Sequence, residues 1–198
     1  MLNKTQFRII ELFVSKIREC FTLREVATNL GMNVSLAHRN IDSLVKENYL
    51  RRDKHKRLSL NVRLHHDVLV FSEYLRSDSF LSKNKVIKLF SQQVLKNVGE
   101  DSFVLLIFGS AVISTKPRDI DVLLIVEDHE RTEKNEGFLR ETARNYTLPF
   151  ETHVISFESV YEMLKNPSEA NLMNEILNKH LIIHGAELFY RLIDKGIL

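Results

Sequence analysis

Apolar positions in the first sixty residues recur at helical spacing. Phe7, Ile10, Phe13 (with Val14) and Ile17 mark a helix over Thr5–Glu19. Thr22, followed three residues on by Glu25, reads as a capping box opening a second helix, Leu23–Leu30, that buries Val26, Ala27 and Leu30. Gly31 ends it where a left-handed residue is wanted. Asn33 or Ser35 caps a third helix, apolar at Val34, Ala37, Ile41, Leu44 and Val45. Its opposite face carries Ser35, His38, Arg39, Asp42 and Ser43. Two short strand-like pieces then flank a basic tip, Arg51–Arg57. The pattern predicts a helix over Leu64–Phe80, unusually apolar for a linker, which packs between domains or against a second copy. Another starts at Ser82, with Val86, Leu89, Val94 and Val98 inward, and stops at Gly99.

Beyond residue 100 the period changes. Phe103–Phe108 and Val122–Val126 are continuous apolar runs too short for helices, hence buried strands. Phe150–Ser156 is a third strand, with Glu151, His153 and Ile155 on one face. Helices are expected from about Arg131 to Arg144, over Phe157–Leu164 and over Ser168–Asn178. A strand-like piece and a terminal helix follow from Leu181. The expectation is an α+β chain in three stretches: a helical domain over 1–63, a helical connector over 64–99, and a mixed sheet flanked by helices over 100–198.

Composition narrows the field. No apolar run is long enough to span a bilayer, and the N-terminus lacks the features of a signal peptide, so a cytoplasmic location is expected. The single cysteine, Cys20, excludes an internal disulfide and a cysteine-rich zinc site, and reads as a packing residue. Adjacent His65 and His66 diverge on a helix and do not form a metal pair. The net charge of +2 hides an asymmetry: residues 1–63 hold 13 Lys and Arg against 6 Asp and Glu, the rest 15 against 20. A basic third on an acidic body suggests a polyanion partner for the first part only.

Candidate chemistry sits between the two apolar strands. Gly109 lets the backbone turn and approach a ligand, and Ser110 adds a hydroxyl and backbone N–H groups that can face a phosphate. Asp119 and Asp121 follow at strand spacing. Two carboxylates on one face repel unless a cation lies between them, and hard oxygen ligands suit Mg²⁺. Strand, Gly-Ser, short loop, Asp-Ile-Asp, strand resembles the DNA polymerase β-like nucleotidyltransferase superfamily, most of all its minimal branch, over roughly the last hundred residues. The resemblance implies a nucleotidyltransferase fold and transfer of a nucleoside monophosphate from a nucleoside triphosphate, with Mg²⁺ or Mn²⁺ as cofactor. It implies metal ligation and catalysis by Asp119, Asp121 and a third acid, for which Glu151 stands with His153 as an alternative. It also implies triphosphate binding by Gly109 and Ser110, with Lys116 and Arg118 supplying positive charge.

Helix, helix, short turn, helix and basic hairpin resembles a winged helix-turn-helix. The resemblance places the third helix in the major groove of duplex DNA, with Ser35, His38 and Arg39 toward base edges. Arg51, Arg52, Lys54, Lys56 and Arg57 would then lie along phosphates. Such domains also mediate protein contacts. Three readings follow: an enzyme carrying a DNA-binding domain, a DNA-binding regulator that senses a nucleotide without turning it over, and an antitoxin-like partner of a toxin. A homodimer is compatible with each.

Overall fold

The computed structural model describes residues 2–114, 117–166 and 170–196. The chain begins with α1, Lys4–Val14, which starts one residue before the expected position because Asn3 caps it in a capping box with Gln6. The expected extension to Glu19 does not form. The second helix, α2, is Leu23–Asn29, and the Thr22–Glu25 capping box is present in both directions. Gly31 adopts φ +59°, the left-handed conformation that lets the chain leave α2. Asn33 then caps α3, Val34–Lys46, through its side chain to the Ser35 N–H. Ala37, Ile41 and Leu44 are buried as expected, whereas Val34 is exposed at the helix mouth. Strands β1, Leu50–Arg52, and β2, Leu58–Leu60, pair antiparallel and form the wing.

The wing is anchored by alternation. Leu50, Leu58 and Leu60 point into the core, while Arg51–Arg57 lie in solvent. Phe21 bridges Leu58, which fixes the root of the wing to the turn before α2. Polar side chains bolt α1 to α3: Gln6 Nε2 donates to Ser43 Oγ at 3.0 Å and Asn3 Nδ2 to Asn40 Oδ1 at 3.1 Å. Cys20 is exposed, not a packing residue, because it falls in the link beyond the amphipathic helix.

Next comes α4, His66–Lys83, one helix where the pattern has a break at Ser82. Its end is at Asn84, from which α5, Lys85–Asn97, departs. Phe71, Tyr74 and Leu75 are exposed along one face of α4, with the Phe7 ring edge-on to Phe71 at 5.8 Å between centroids. The sheet of the C-terminal half contains β3, Val104–Phe108; β4, Ile120–Val126; β5, Phe150–Ser156; and β6, His180–His184. Its order is β5-β4-β3-β6, with β3 antiparallel to both neighbours and β5 parallel to β4. The parallel pair needs a crossover, supplied by α6, Glu130–Ala143. One sheet face packs on α5 and α6 through Ile87, Phe90, Val94, Leu105, Val122, Leu124 and Leu139. The other packs on α7, Phe157–Lys165, α8, Leu172–Ile176, and α9, Ala186–Gly196. The chain is therefore α+β, with an N-terminal winged helix and a C-terminal mixed sheet flanked by helices.

The second core does not stop at the sheet: Phe13, Val14 and Ile17 of the winged helix belong to the same buried cluster as Leu177, Phe189 and Tyr190. The Ile17 N–H donates to the Leu177 carbonyl at 2.7 Å. A buried carboxylate reinforces this junction. Glu73 of α4 is fully buried and accepts from Arg76 Nη1 at 2.6 Å, His180 Nε2 at 2.9 Å and Tyr190 Oη at 3.1 Å. Arg76 also donates to the His180 carbonyl at 2.7 Å. His180 Nδ1 lies 2.7 Å from the Ile176 carbonyl, so both ring nitrogens face acceptors. Burial alone would push the Glu73 carboxyl up. Arg76, His180 and Tyr190 outweigh it and hold it below the ordinary value.

Candidate functional site

The outer face of α3 and the wing form one surface. Ser35, His38 and Arg39 are exposed on α3, and Arg51, Arg52, Lys54, Lys56 and Arg57 are exposed on the wing. Their surroundings differ. Arg52 Nη2 donates to Asp42 Oδ1 at 2.6 Å, and His38 Nδ1 faces Asp42 Oδ2 at 3.0 Å. Arg57, exposed like its neighbours, also donates through Nη2 to the Cys20 carbonyl and so braces the wing. His38, Arg52 and Lys56 line a cleft of about 240 Å³ between helix and wing, floored by Leu23 and Leu58.

A second concentration of chemistry lies where β3 ends and β4 and β5 begin. Gly109 has φ +69° and opens a single tight turn over Gly109–Val112. Its N–H donates to the Lys179 carbonyl at 3.1 Å. A Cβ here would lie 2.5 Å from Asp121 Oδ2 and 3.6 Å from Glu175 Oε1, so glycine keeps open the space these two carboxylates share. The parallel register sets Asp121 beside Glu151 and Leu123 beside His153. Ligand atoms of Asp121, Glu151 and His153 all lie within 4.8 Å of one another. Asp121 is half-buried, while Glu151 and His153 are exposed. Burial, then the charges of Asp119, Glu151 and Glu175, push the Asp121 carboxyl above the ordinary carboxylate range; His153 acts the other way.

Asp121 and Glu151 of the expected ligand set lie together, with His153 beside them. Asp119 lies near enough to raise the Asp121 carboxyl, but the close group is Asp121, Glu151 and His153. Asp119 precedes β4, whereas the side-by-side register of β4 and β5 brings the other three together. Ser110 is exposed in the turn and Arg118 is exposed before β4. Lys116 lies outside the described residues. Glu175 was not foreseen, because a helix over Ser168–Asn178 carries no sequence signal for which of its residues meets Gly109.

Residues 7–54 match the family model described as the IclR helix-turn-helix domain. Characterised proteins give no match. Among solved structures, the chain is similar to the Thermotoga maritima IclR, at 22% identity over 54% of this chain and 40% of that one, with a TM-score of 0.28. An IclR homologue from Microbacterium sp. strain HM58-2 shares 16% identity over 60% of this chain and 44% of its own, with a TM-score of 0.29. A third, an IclR homologue from Microbacterium hydrocarbonoxydans complexed with 4-hydroxybenzoate, shares 20% identity over 52% of this chain and 41% of its own, with a TM-score of 0.27. The chain thus spans less than half the length of these proteins.

These findings overturn the kinship with nucleotidyltransferases. The matched domain, over residues 7–54, is an IclR helix-turn-helix, and the solved structures that match are IclR proteins and not nucleotidyltransferases. The transferase reading falls with it, and the nucleoside triphosphate substrate and toxin-like partner, which rested on that kinship, gain no support from these matches.

Proposed function

We propose that the chain is a DNA-binding transcription regulator whose C-terminal half binds a divalent cation. The observation that carries the reading is the exposed face of α3 beside a basic wing, within a segment that matches a regulator's helix-turn-helix over residues 7–54. Ser35, His38 and Arg39 are assigned to base edges, and Arg51, Arg52, Lys54 and Lys56 to phosphates or their immediate vicinity. Such a role puts the chain in the compartment that holds the DNA.

The cation is assigned to Asp121, Glu151 and His153. Two carboxylate oxygens and one imidazole nitrogen form a mixed donor set. Carboxylates suit Mg²⁺ and Mn²⁺, whereas imidazole suits transition metals, so the combination favours Mn²⁺ over Mg²⁺. The crowding around Asp121 supports the assignment, since a bound cation would relieve the repulsion that Asp119, Glu151 and Glu175 impose.

The test of the DNA reading is fluorescence anisotropy of the full chain with a mixed-sequence duplex across a salt series. Affinity should fall steeply with salt. Removing the charges of Arg51, Lys54 and Lys56 should flatten the log–log slope by about one unit per lost phosphate contact. Binding that is absent, or indifferent to salt, overturns the reading.

A further inference from the structure

A carboxylate on the outer face of a groove-reading helix is unfavourable on simple electrostatic grounds, because every phosphate near it is repelled. Asp42 is such a residue, and both its oxygens are engaged, one by a guanidinium of β1 and the other by an imidazole of α3. Oδ1 accepts from Arg52 Nη2 of β1 at 2.6 Å, and Oδ2 lies 3.0 Å from Nδ1 of His38, one turn earlier on α3. The three side chains remain between 36% and 58% exposed, so the cluster sits at the surface and not in the core.

The geometry has two consequences. With Nδ1 directed at Asp42, the His38 ring is held in one orientation at the wall of the cleft. With one N–H of Arg52 held by Asp42, the guanidinium plane is fixed and its other donors stay available in the cleft shared with His38 and Lys56. Asp42 thereby ties the wing to the third helix at the surface assigned to DNA. It also neutralises part of a charge that would otherwise bind any phosphate.

We propose that Asp42 is a specificity-determining residue of this DNA interface. Its repulsion of phosphates lowers affinity for every sequence alike. Its hold on His38 and Arg52 favours only a sequence whose base edges and groove shape match their fixed positions. Discrimination is thus gained at the expense of generic affinity. The inference rests on the DNA-binding reading.

The experiment starts by enriching a duplex from a random pool on the full-length wild type. Affinities for that duplex and for a mixed-sequence duplex are then compared among wild type, Asp42→Asn and Asp42→Glu. Asp42→Asn should bind the mixed duplex more tightly, with a salt slope steeper by about one unit per released cation. The ratio of the two affinities should fall by roughly 5- to 100-fold, the range of one base-specific contact. Asp42→Glu, which keeps the charge, should restore part of the ratio. Thermal melting should be unchanged, since exposed ion pairs contribute little to stability.

An unchanged ratio in Asp42→Asn, or an equal loss of both affinities, overturns the inference while leaving the DNA reading in place. If the wild type enriches no sequence and binds no duplex in a salt-sensitive way, both fall together.

Discussion

Two carboxylates in this molecule meet opposite treatment. Glu73 is fully buried, yet three donors close on it, and its carboxyl is held below the ordinary value. Asp121 is less buried, yet it faces Asp119, Glu151 and Glu175, and its carboxyl is pushed up. Burial acts in the same direction on both, so the neighbours decide the sign. Glu73 joins α4 to β6 and α9 and has all its demands met within the chain. Asp121 stands beside a glycine that keeps space open, with three carboxylates raising it and His153 acting against them. The contrast separates a group that holds a fold from the group to which the proposed cation is assigned, since functional sites are where such imbalance is tolerated.

The largest expected effect comes from breaking the satisfied one. Glu73→Gln preserves shape but removes the charge, leaving Arg76 and His180 around a neutral amide whose NH₂ must also face a donor. Breaking a buried pair from one side costs about 3–5 kcal/mol. For a chain of this size that is a fall in Tm on the order of 10 °C. The depressed Glu73 value also gives a pH signature. Its contribution is fully present above the value it has in the unfolded chain and is lost as pH falls through its lower folded value. Calorimetric melts of wild type and Glu73→Gln across acid pH should therefore converge toward the acid end. Equal Tm at neutral pH would remove Glu73 from its structural role.

The same chemical change at Asp121 should have the opposite sign. Asp121→Asn removes a charge that three neighbours repel, and Tm should rise. Solvent screening at this partly exposed position keeps the gain below about 1 kcal/mol, or roughly 2–4 °C. Because the folded value is raised, wild type is penalised once pH exceeds it. The gap between wild type and Asp121→Asn should therefore close as pH falls through that value. In exchange, Mn²⁺ binding followed by titration calorimetry should be lost in Asp121→Asn. In wild type it should weaken on acidification from a higher pH than an ordinary aspartate would give, because protons compete for the ligand. Full Mn²⁺ affinity in Asp121→Asn would remove the cation assignment.

How far these two regions could be read in advance follows from where their partners lie. Local signals were sufficient for Thr22 with Glu25, for Gly31 and for the alternation in the wing, because capping and turns act within a few residues. The strands around Gly109 were legible for the same reason. Asp121, Glu151 and His153 were all visible as candidates, but which three share a site depends on the parallel register of β4 and β5, which no short stretch encodes. Glu73 escaped notice, since its partners His180 and Tyr190 are more than a hundred residues away. The resemblance carried by Gly-Ser and Asp-Ile-Asp failed at the level of family. The motif describes strand ends and a turn, and those do not fix chemistry.

The smallest effect, and the one that most sharpens the contrast, belongs to Glu175. It comes from α8, outside the sheet, and its Oε1 would lie 3.6 Å from a Cβ on Gly109. It ranks below Asp119 and Glu151 among the charges that raise the Asp121 carboxyl. If Asp121 is left for a ligand, Glu175 contributes field and not a primary bond. Glu175→Gln should then retain Mn²⁺ binding with a modest loss of affinity, smaller than that of Glu151→Gln, while shifting the acid weakening of binding toward lower pH as Asp121 loses one repelling neighbour. Titration calorimetry of Mn²⁺ at several pH values reads both quantities in one series. Loss of binding as complete as in Asp121→Asn would make Glu175 a ligand in its own right. An unshifted pH profile would mean that its charge does not reach Asp121, and the crowding would then rest on Asp119 and Glu151 alone.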